Sequence, residues 1–172
     1  MDSEEALIAG LYSAAERLVR LLGGRSLYLA ASESCTGGLV ASALTRIPGA
    51  SLCFWGSYVC YTSGAKIQML EVGEHTLNIY GAVSKETAQA MAEGTLKKSG
   101  ADAAVSITGL AGPDGDGSEI PVGTVWIAAA ITNNAHAAIV KEFHFAGSRN
   151  DVRVQAAKEA IMQITELLEK NY

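Results

Sequence analysis

The 172-residue chain is predicted to be an α/β protein, a three-layer α/β/α sandwich whose mixed central sheet includes an antiparallel hairpin. Helix-like and strand-like segments alternate along most of the chain. Two strand-like runs are separated by a short segment that opens Thr132-Asn133-Asn134, a turn signal that makes them a hairpin. Apolar residues make up 49% of the chain and charged residues 18%, a balance suited to a sheet covered on both faces and unsuited to disorder.

The elements follow in order. Over residues 3–22 the apolar residues Leu7, Leu11, Ala14, Ala15, Leu18, Val19 and Leu22 recur at helical spacing, with acids in the first turn and Gly23-Gly24 as the stop. Residues 26–31 read as a short buried strand. Residues 36–47 read as a helix closed by Pro48-Gly49. The aromatic and β-branched run 54–61 is a second strand, followed by a short helix over 63–70. Ser84 caps a helix to about Lys98, with Lys97, Lys98 and Gly100 at its end. Residues 102–108 form a third strand and feed a glycine-rich, acidic loop over 109–121. The hairpin strands are 122–131 and 137–145, and a last helix over 150–170 presents Val154, Ala157, Ile161, Ile164 and Leu168 on one face. With no repeat, low-complexity tract or linker, residues 1–172 are expected to form one domain.

Charge and cysteine usage exclude several function classes. A net charge of -5 without a basic cluster disfavours nucleic acid as a partner. Cys35, Cys53 and Cys60 are odd in number and lack a C-x-x-C spacing, so they point to a reducing cytoplasm rather than to disulfides or zinc. The opening Met-Asp-Ser-Glu-Glu lacks a signal-peptide pattern, and no stretch approaches the roughly 20 apolar residues of a membrane span. A protein neither exported nor membrane-embedded is the expectation.

The chemistry is expected at the serine-bearing turn Glu33-Ser34-Cys35-Thr36-Gly37-Gly38, between a strand and a helix. Such turns offer free N–H groups and a positive helix end to a ligand. Gly37 and Gly38 allow close approach to the backbone, and the N–H groups of residues 35–37 suit an oxyanion. The same residues also fit a plain helix cap. Ser34 as a nucleophile needs a base. His75, His136 and His144 all lie away from glycine-rich turns, and G-x-S-x-G is absent, which leaves lysine. Lys66 follows an apolar strand, where desolvation would favour the neutral amine, although an exposed helix lysine has the same local sequence. Cys35 is a rival nucleophile or a small buried hydrophobe.

The loop that begins Thr108-Gly109-Leu110-Ala111-Gly112-Pro113 has the composition of a phosphate-accommodating turn but matches neither standard phosphate-loop pattern. Asp114, Asp116 and Glu119 lack calcium-loop spacing and read as solvated acids, so no metal and no cofactor are expected. Arg149, just before the last helix, fits either a phosphate clamp or a surface pair with Asp151.

Six segments taken together resemble the CinA carboxy-terminal domain family and its stand-alone nicotinamide mononucleotide deamidases: ASESCTGG (31–38), GSYVCYTSGAK (56–66), GAVS (81–84), SITGLAGPD (106–114), PVGTVW (121–126) and GSRNDVR (147–153). The resemblance implies hydrolysis of the carboxamide of nicotinamide mononucleotide by a serine-lysine dyad, whose positions fall on Ser34 and Lys66. It also implies that Tyr58, Thr108 and Arg149 line a nucleotide site and that the 109–113 loop, with Gly109 and Gly112, closes around substrate. On the turn itself, Thr36 and Gly37 are expected to meet substrate and the N–H groups of Cys35 and Thr36 to receive the oxyanion. A homo-oligomer, most simply a dimer, completes the expectation. A binding or regulatory module without turnover, and an interaction domain used for assembly, are the competing classes.

Overall fold

Among the described residues, ten of the eleven α-helices and β-strands coincide with segments the sequence predicts, with ends that shift by no more than three residues. The computed structural model describes residues 3–132 and 138–172. Helix α1 (Ser3–Arg25) buries Leu11, Ala15, Leu18 and Leu22, the stripe that its periodicity predicts. Strand β1 (Leu29–Glu33) runs two residues past the predicted end, because Ser32 and Glu33 are polar yet wholly buried. Helix α2 (Leu39–Thr45) starts three residues later than predicted, behind Gly37 and Gly38 at φ 60° and 100°. A positive φ suits glycine and blocks an earlier helical start.

A 3₁₀ turn (Ala50–Leu52) leads to strand β2 (Phe54–Val59), then to helices α3 (Ser63–Leu70), α4 (Glu74–Tyr80) and α5 (Lys85–Ser99). Helix α4 was not predicted: it buries no residue, so its sequence carries little amphipathic signal. Ser84 caps α5 by accepting from the Thr87 N–H, and Gly100 ends it in the left-handed region. Strands β3 (Ala103–Gly109), β4 (Thr124–Ile131) and β5 (Ile139–His144) follow, then helix α6 (Arg149–Asn171). Strand β4 starts at Thr124 rather than 122, since Pro121 and Gly123 lie in the turn before it. The expected hairpin turn at Asn133 and Asn134 lies outside the described residues.

The sheet order is β2-β1-β3-β4-β5. Strand β1 pairs in parallel with β2 and β3, whereas β4 is antiparallel to both β3 and β5. Alternate residues face opposite layers. Leu29, Ala31, Val105, Ile107, Val125 and Ile127 join α1, α2 and α6 in the main core. Ala128 and Ala130 meet Ala88 and Ala92 of α5 on the other face. The result is the expected α/β/α layering. Among the described residues no helix is long and apolar enough to cross a membrane.

Topology places the turn at Ser34. From β1 the chain leaves through α2 toward β2 on one side, and later returns through α5 to β3 on the other side of β1. The carboxyl ends of β1 and β3 therefore flank a switch point, where open α/β sheets bind ligands. The Ser34 N–H crosses that point to the Ile107 carbonyl at 3.0 Å.

Candidate active site

The turn is anchored from inside by Glu33, whose side chain is completely buried. One carboxyl oxygen accepts from the Thr36 hydroxyl (2.8 Å), the Gly38 N–H (2.9 Å) and the Val40 N–H (3.1 Å). The other accepts from the Ala41 N–H and the Ser57 hydroxyl, both at 3.0 Å. Three of the orphan donors at the start of α2 are thereby satisfied by one side chain. The cap of the helix is Glu33, not Ser34, and this frees the serine hydroxyl.

Ser34 Oγ faces Lys66 Nζ at 2.9 Å. Lys66 sits at the start of α3, where the Thr62 hydroxyl accepts from Ala65 N–H and fixes the first turn. The alternative of an exposed helix lysine is overturned: Lys66 is 1% exposed. Its Nζ also reaches the Cys60 carbonyl at 3.1 Å, and among the described residues no carboxylate bonds to it. Burial pushes its pKa below the ordinary lysine value, which favours the neutral amine. Ser34 itself is nearly buried at 7% exposure, with Oγ 3.5 Å from the Tyr61 carbonyl oxygen.

Cys35 behaves as the small hydrophobe. It is buried, and burial pushes its thiol up to about 11 despite the opposing influence of Lys66, Arg149 and Arg153. The histidines stand elsewhere: His75 is exposed on α4, and His144 on edge strand β5 lies 3.2 Å from the Thr124 hydroxyl. His136 lies outside the described residues.

The remaining predicted residues divide into two groups. Arg149 reaches the site: its guanidinium donates to the Gly112 carbonyl and, at 2.7 Å, to the Tyr61 hydroxyl. The alternative pairing with Asp151 is not found, because Asp151 completes a capping box with Ser148 at the start of α6. Gly112 thus meets Arg149 through its carbonyl, and Gly109 is crowded, since a Cβ there would lie 2.7 Å from Val125 Cγ2. Thr108 is buried and donates to the Ala82 carbonyl at 2.6 Å, tying β3 to the segment before α5. Thr36 turns its hydroxyl inward to Glu33, so it offers the site only its backbone. Tyr58 is half-buried, packs with the Cys60, Leu70, Val72 and Met91 cluster, and stacks on Trp55 at 5.3 Å. Tyr61, not Tyr58, is the tyrosine that touches Arg149.

Sequence reading missed Glu33, Tyr61 and Arg153 as parts of the site. Arg153 on α6 donates from Nε to the Cys35 carbonyl (3.2 Å) and from Nη2 to the Thr36 carbonyl (3.0 Å). The acid adjacent to the serine was the one available signal, since a carboxylate at a strand-to-helix turn can cap the helix. Nothing local marks Arg153, which is 118 residues from Cys35.

A buried serine-lysine pair at the switch point of this fold narrows the family. A model of the CinA C-terminal domain matches residues 11–168. The chain belongs to the CinA C-terminal domain family. Within it, the chain is 49% identical over 133 residues to a CinA-like protein of Syntrophomonas wolfei, an alignment covering 77% of this chain and 31% of that protein. It is 45% identical over 136 residues to the nicotinamide-nucleotide amidohydrolase PncC of Enterobacter agglomerans, covering 79% of this chain and 82% of that protein. The crystal structure of competence/damage inducible protein CihA from Agrobacterium tumefaciens superposes with a TM-score of 0.88 at 38% identity, covering 92% and 95% of the two chains. Against several CinA-like relatives the chain spans only about a third of their length.

Proposed function

We propose that this CinA-domain protein is an amidohydrolase that converts nicotinamide mononucleotide to nicotinate mononucleotide and ammonia, with Ser34 as nucleophile and Lys66 as base. The observation that carries the reading is the 2.9 Å contact between Ser34 Oγ and the buried Lys66 Nζ. The likeness to an amidohydrolase over most of that relative's length supports the substrate class.

As Oγ bonds to the carboxamide carbon, the Ser34 proton passes to neutral Lys66 and the carbonyl electron pair moves to oxygen. The N–H groups of Cys35 and Thr36, which no other described residue takes up, receive that oxyanion. Collapse of the tetrahedral intermediate breaks the C–N bond, and protonated Lys66 delivers its proton to the leaving nitrogen. Ammonia departs and an ester remains on Ser34. Water then attacks the ester while Lys66 takes one water proton and returns it to Ser34 Oγ. Arg149 holds the substrate phosphate, with Tyr61 and the Gly112 loop beside it.

The test is ammonia release from nicotinamide mononucleotide. Ser34→Ala and Lys66→Ala are each expected to lower kcat by roughly 10³-fold or more. Equal turnover in wild type and both variants would refute the dyad, and binding without turnover in wild type would refute the activity. Because protonated lysine cannot accept a proton, kcat/KM rises with pH as Lys66 deprotonates. Burial moves that limb below the ordinary lysine range.

A further inference from the structure

We propose that Arg153 is a positioning residue that creates the second oxyanion donor by fixing the Cys35–Thr36 peptide. The inference rests on the amidohydrolase reading above. It deepens that reading by assigning work to a side chain on α6 that touches no substrate.

A trans peptide is planar, with its C=O and N–H pointing in opposite directions. Whatever holds one end therefore aims the other. In the peptide between Ser34 and Cys35, the Ser34 carbonyl is held by the Gly37 N–H at 3.0 Å. The turn itself thus aims the Cys35 N–H. In the next peptide, the Cys35 carbonyl is held by Arg153 Nε at 3.2 Å, and this aims the Thr36 N–H. Arg153 Nη2 holds the Thr36 carbonyl at 3.0 Å, in the peptide whose N–H is already engaged with Ser34. One oxyanion donor is set by local geometry and the other by a residue 118 positions away.

Two further contacts fix the peptide between them. The Thr36 hydroxyl is tied to Glu33, so the side chain cannot rotate the residue away. Gly37, held at φ 60°, lies directly against the guanidinium: a Cβ there would touch Arg153 Nη2 at 3.6 Å, an ordinary van der Waals distance. Arginine suits the task because its planar fork presents Nε and Nη2 to two acceptors at once, whereas a lysine presents one point charge. The guanidinium also keeps a positive charge behind the peptide as negative charge develops in front of it.

A positioning role separates kcat from KM. Arg153→Ala is expected to lower kcat for nicotinamide mononucleotide on the order of 10²-fold, the effect of losing one oxyanion donor, with KM changed less than about threefold. Arg153→Lys should recover part of kcat. The aldehyde analogue of the substrate forms a tetrahedral adduct on Ser34 and places an oxyanion in the same spot. Its affinity should fall in parallel with kcat across the series, while the product nicotinate mononucleotide binds unchanged. The acidic limb of the pH profile should stay in place, since Lys66 is untouched.

Thermal unfolding of each variant separates a folding defect from this pattern, and Arg153→Lys, which keeps the charge and most of the stem, reports if the alanine variant fails to fold. A raised KM with unchanged kcat would overturn the inference and make Arg153 a substrate-binding residue. Full activity in Arg153→Ala would overturn it outright. A wild type that neither hydrolyses the nucleotide nor binds the aldehyde would remove the functional reading and this inference together, so the two failures are distinct.

Discussion

The turn after β1 and the loop after β3 leave neighbouring strands at the same end of the sheet, yet they are held in opposite ways. The Ser34 turn is pinned from three directions: Glu33 beneath it, Arg153 behind it and Lys66 in front. The loop over 110–123 is tied at its base by backbone bonds between Leu110, Gly123 and Thr124, and along its length by Arg149 on the Gly112 carbonyl. Beyond Pro113 most of its residues are exposed, and Asp116 with Ser118 forms only a local turn. A nucleophile and its oxyanion donors need fixed geometry, because small displacements carry a large rate cost. In the proposed reaction, a loop that admits and releases substrate needs the reverse.

The largest expected effect that tests this contrast is on stability. Glu33→Ala would leave the buried N–H groups of Val40 and, partly, Gly38 and Ala41 without acceptors, at about 1–3 kcal/mol for each group left unpaired. A total loss above about 3 kcal/mol in denaturant unfolding is the expected outcome. Glu33→Gln keeps one acceptor oxygen and should lose less. A loss under about 1 kcal/mol for alanine would mean that the turn does not depend on its internal cap.

A smaller and pH-dependent effect belongs to Lys66. Its folded pKa is lowered by burial, so above the ordinary lysine value near 10.5 both folded and unfolded chains are neutral there and nothing is lost. As pH falls from 10.5 toward the depressed value, the unfolded chain binds a proton that the folded chain resists, and stability declines. Below the depressed value the loss is constant. Lys66→Met removes this group, so the stability of the variant relative to wild type should improve steadily between pH 10.5 and the depressed value. An identical slope in both proteins would show that Lys66 is charged in the folded state.

At the small end, Ser118→Ala should move Tm by no more than about 2 °C, the range of an exposed substitution in a chain of this size. A large shift would mean that the 110–123 loop is as firmly built as the Ser34 turn and would erase the contrast.

How much of this could be read in advance varied with the range of the forces involved. The caps at Ser84, the periodic faces of α1 and α6, and the glycines at 37 and 38 act within a few residues of themselves, and they were legible. Helix α4 escaped because it buries nothing, and the end of β1 escaped because its last residues are polar and buried for a reason found on α2 and β2. Ser34 was identifiable as a candidate, but as a cap or as a nucleophile equally. Glu33 taking over the cap removes the first reading and leaves the hydroxyl facing Lys66.

The sequence by itself determined the alternation of elements, the switch-point turn and the segments that mark the CinA family, because periodicity and turn chemistry are local properties. The tertiary structure decided which lysine is dry, which tyrosine meets Arg149 and which arginine aims the Thr36 N–H. Those are matters of burial and of contacts between residues 32, 88 and 118 positions apart, and no local pattern encodes them. The desolvation that lowers the Lys66 pKa exists only once α3 packs against α5 and brings Lys66 to Ser34, so the electrostatics of the turn are a property of the folded chain.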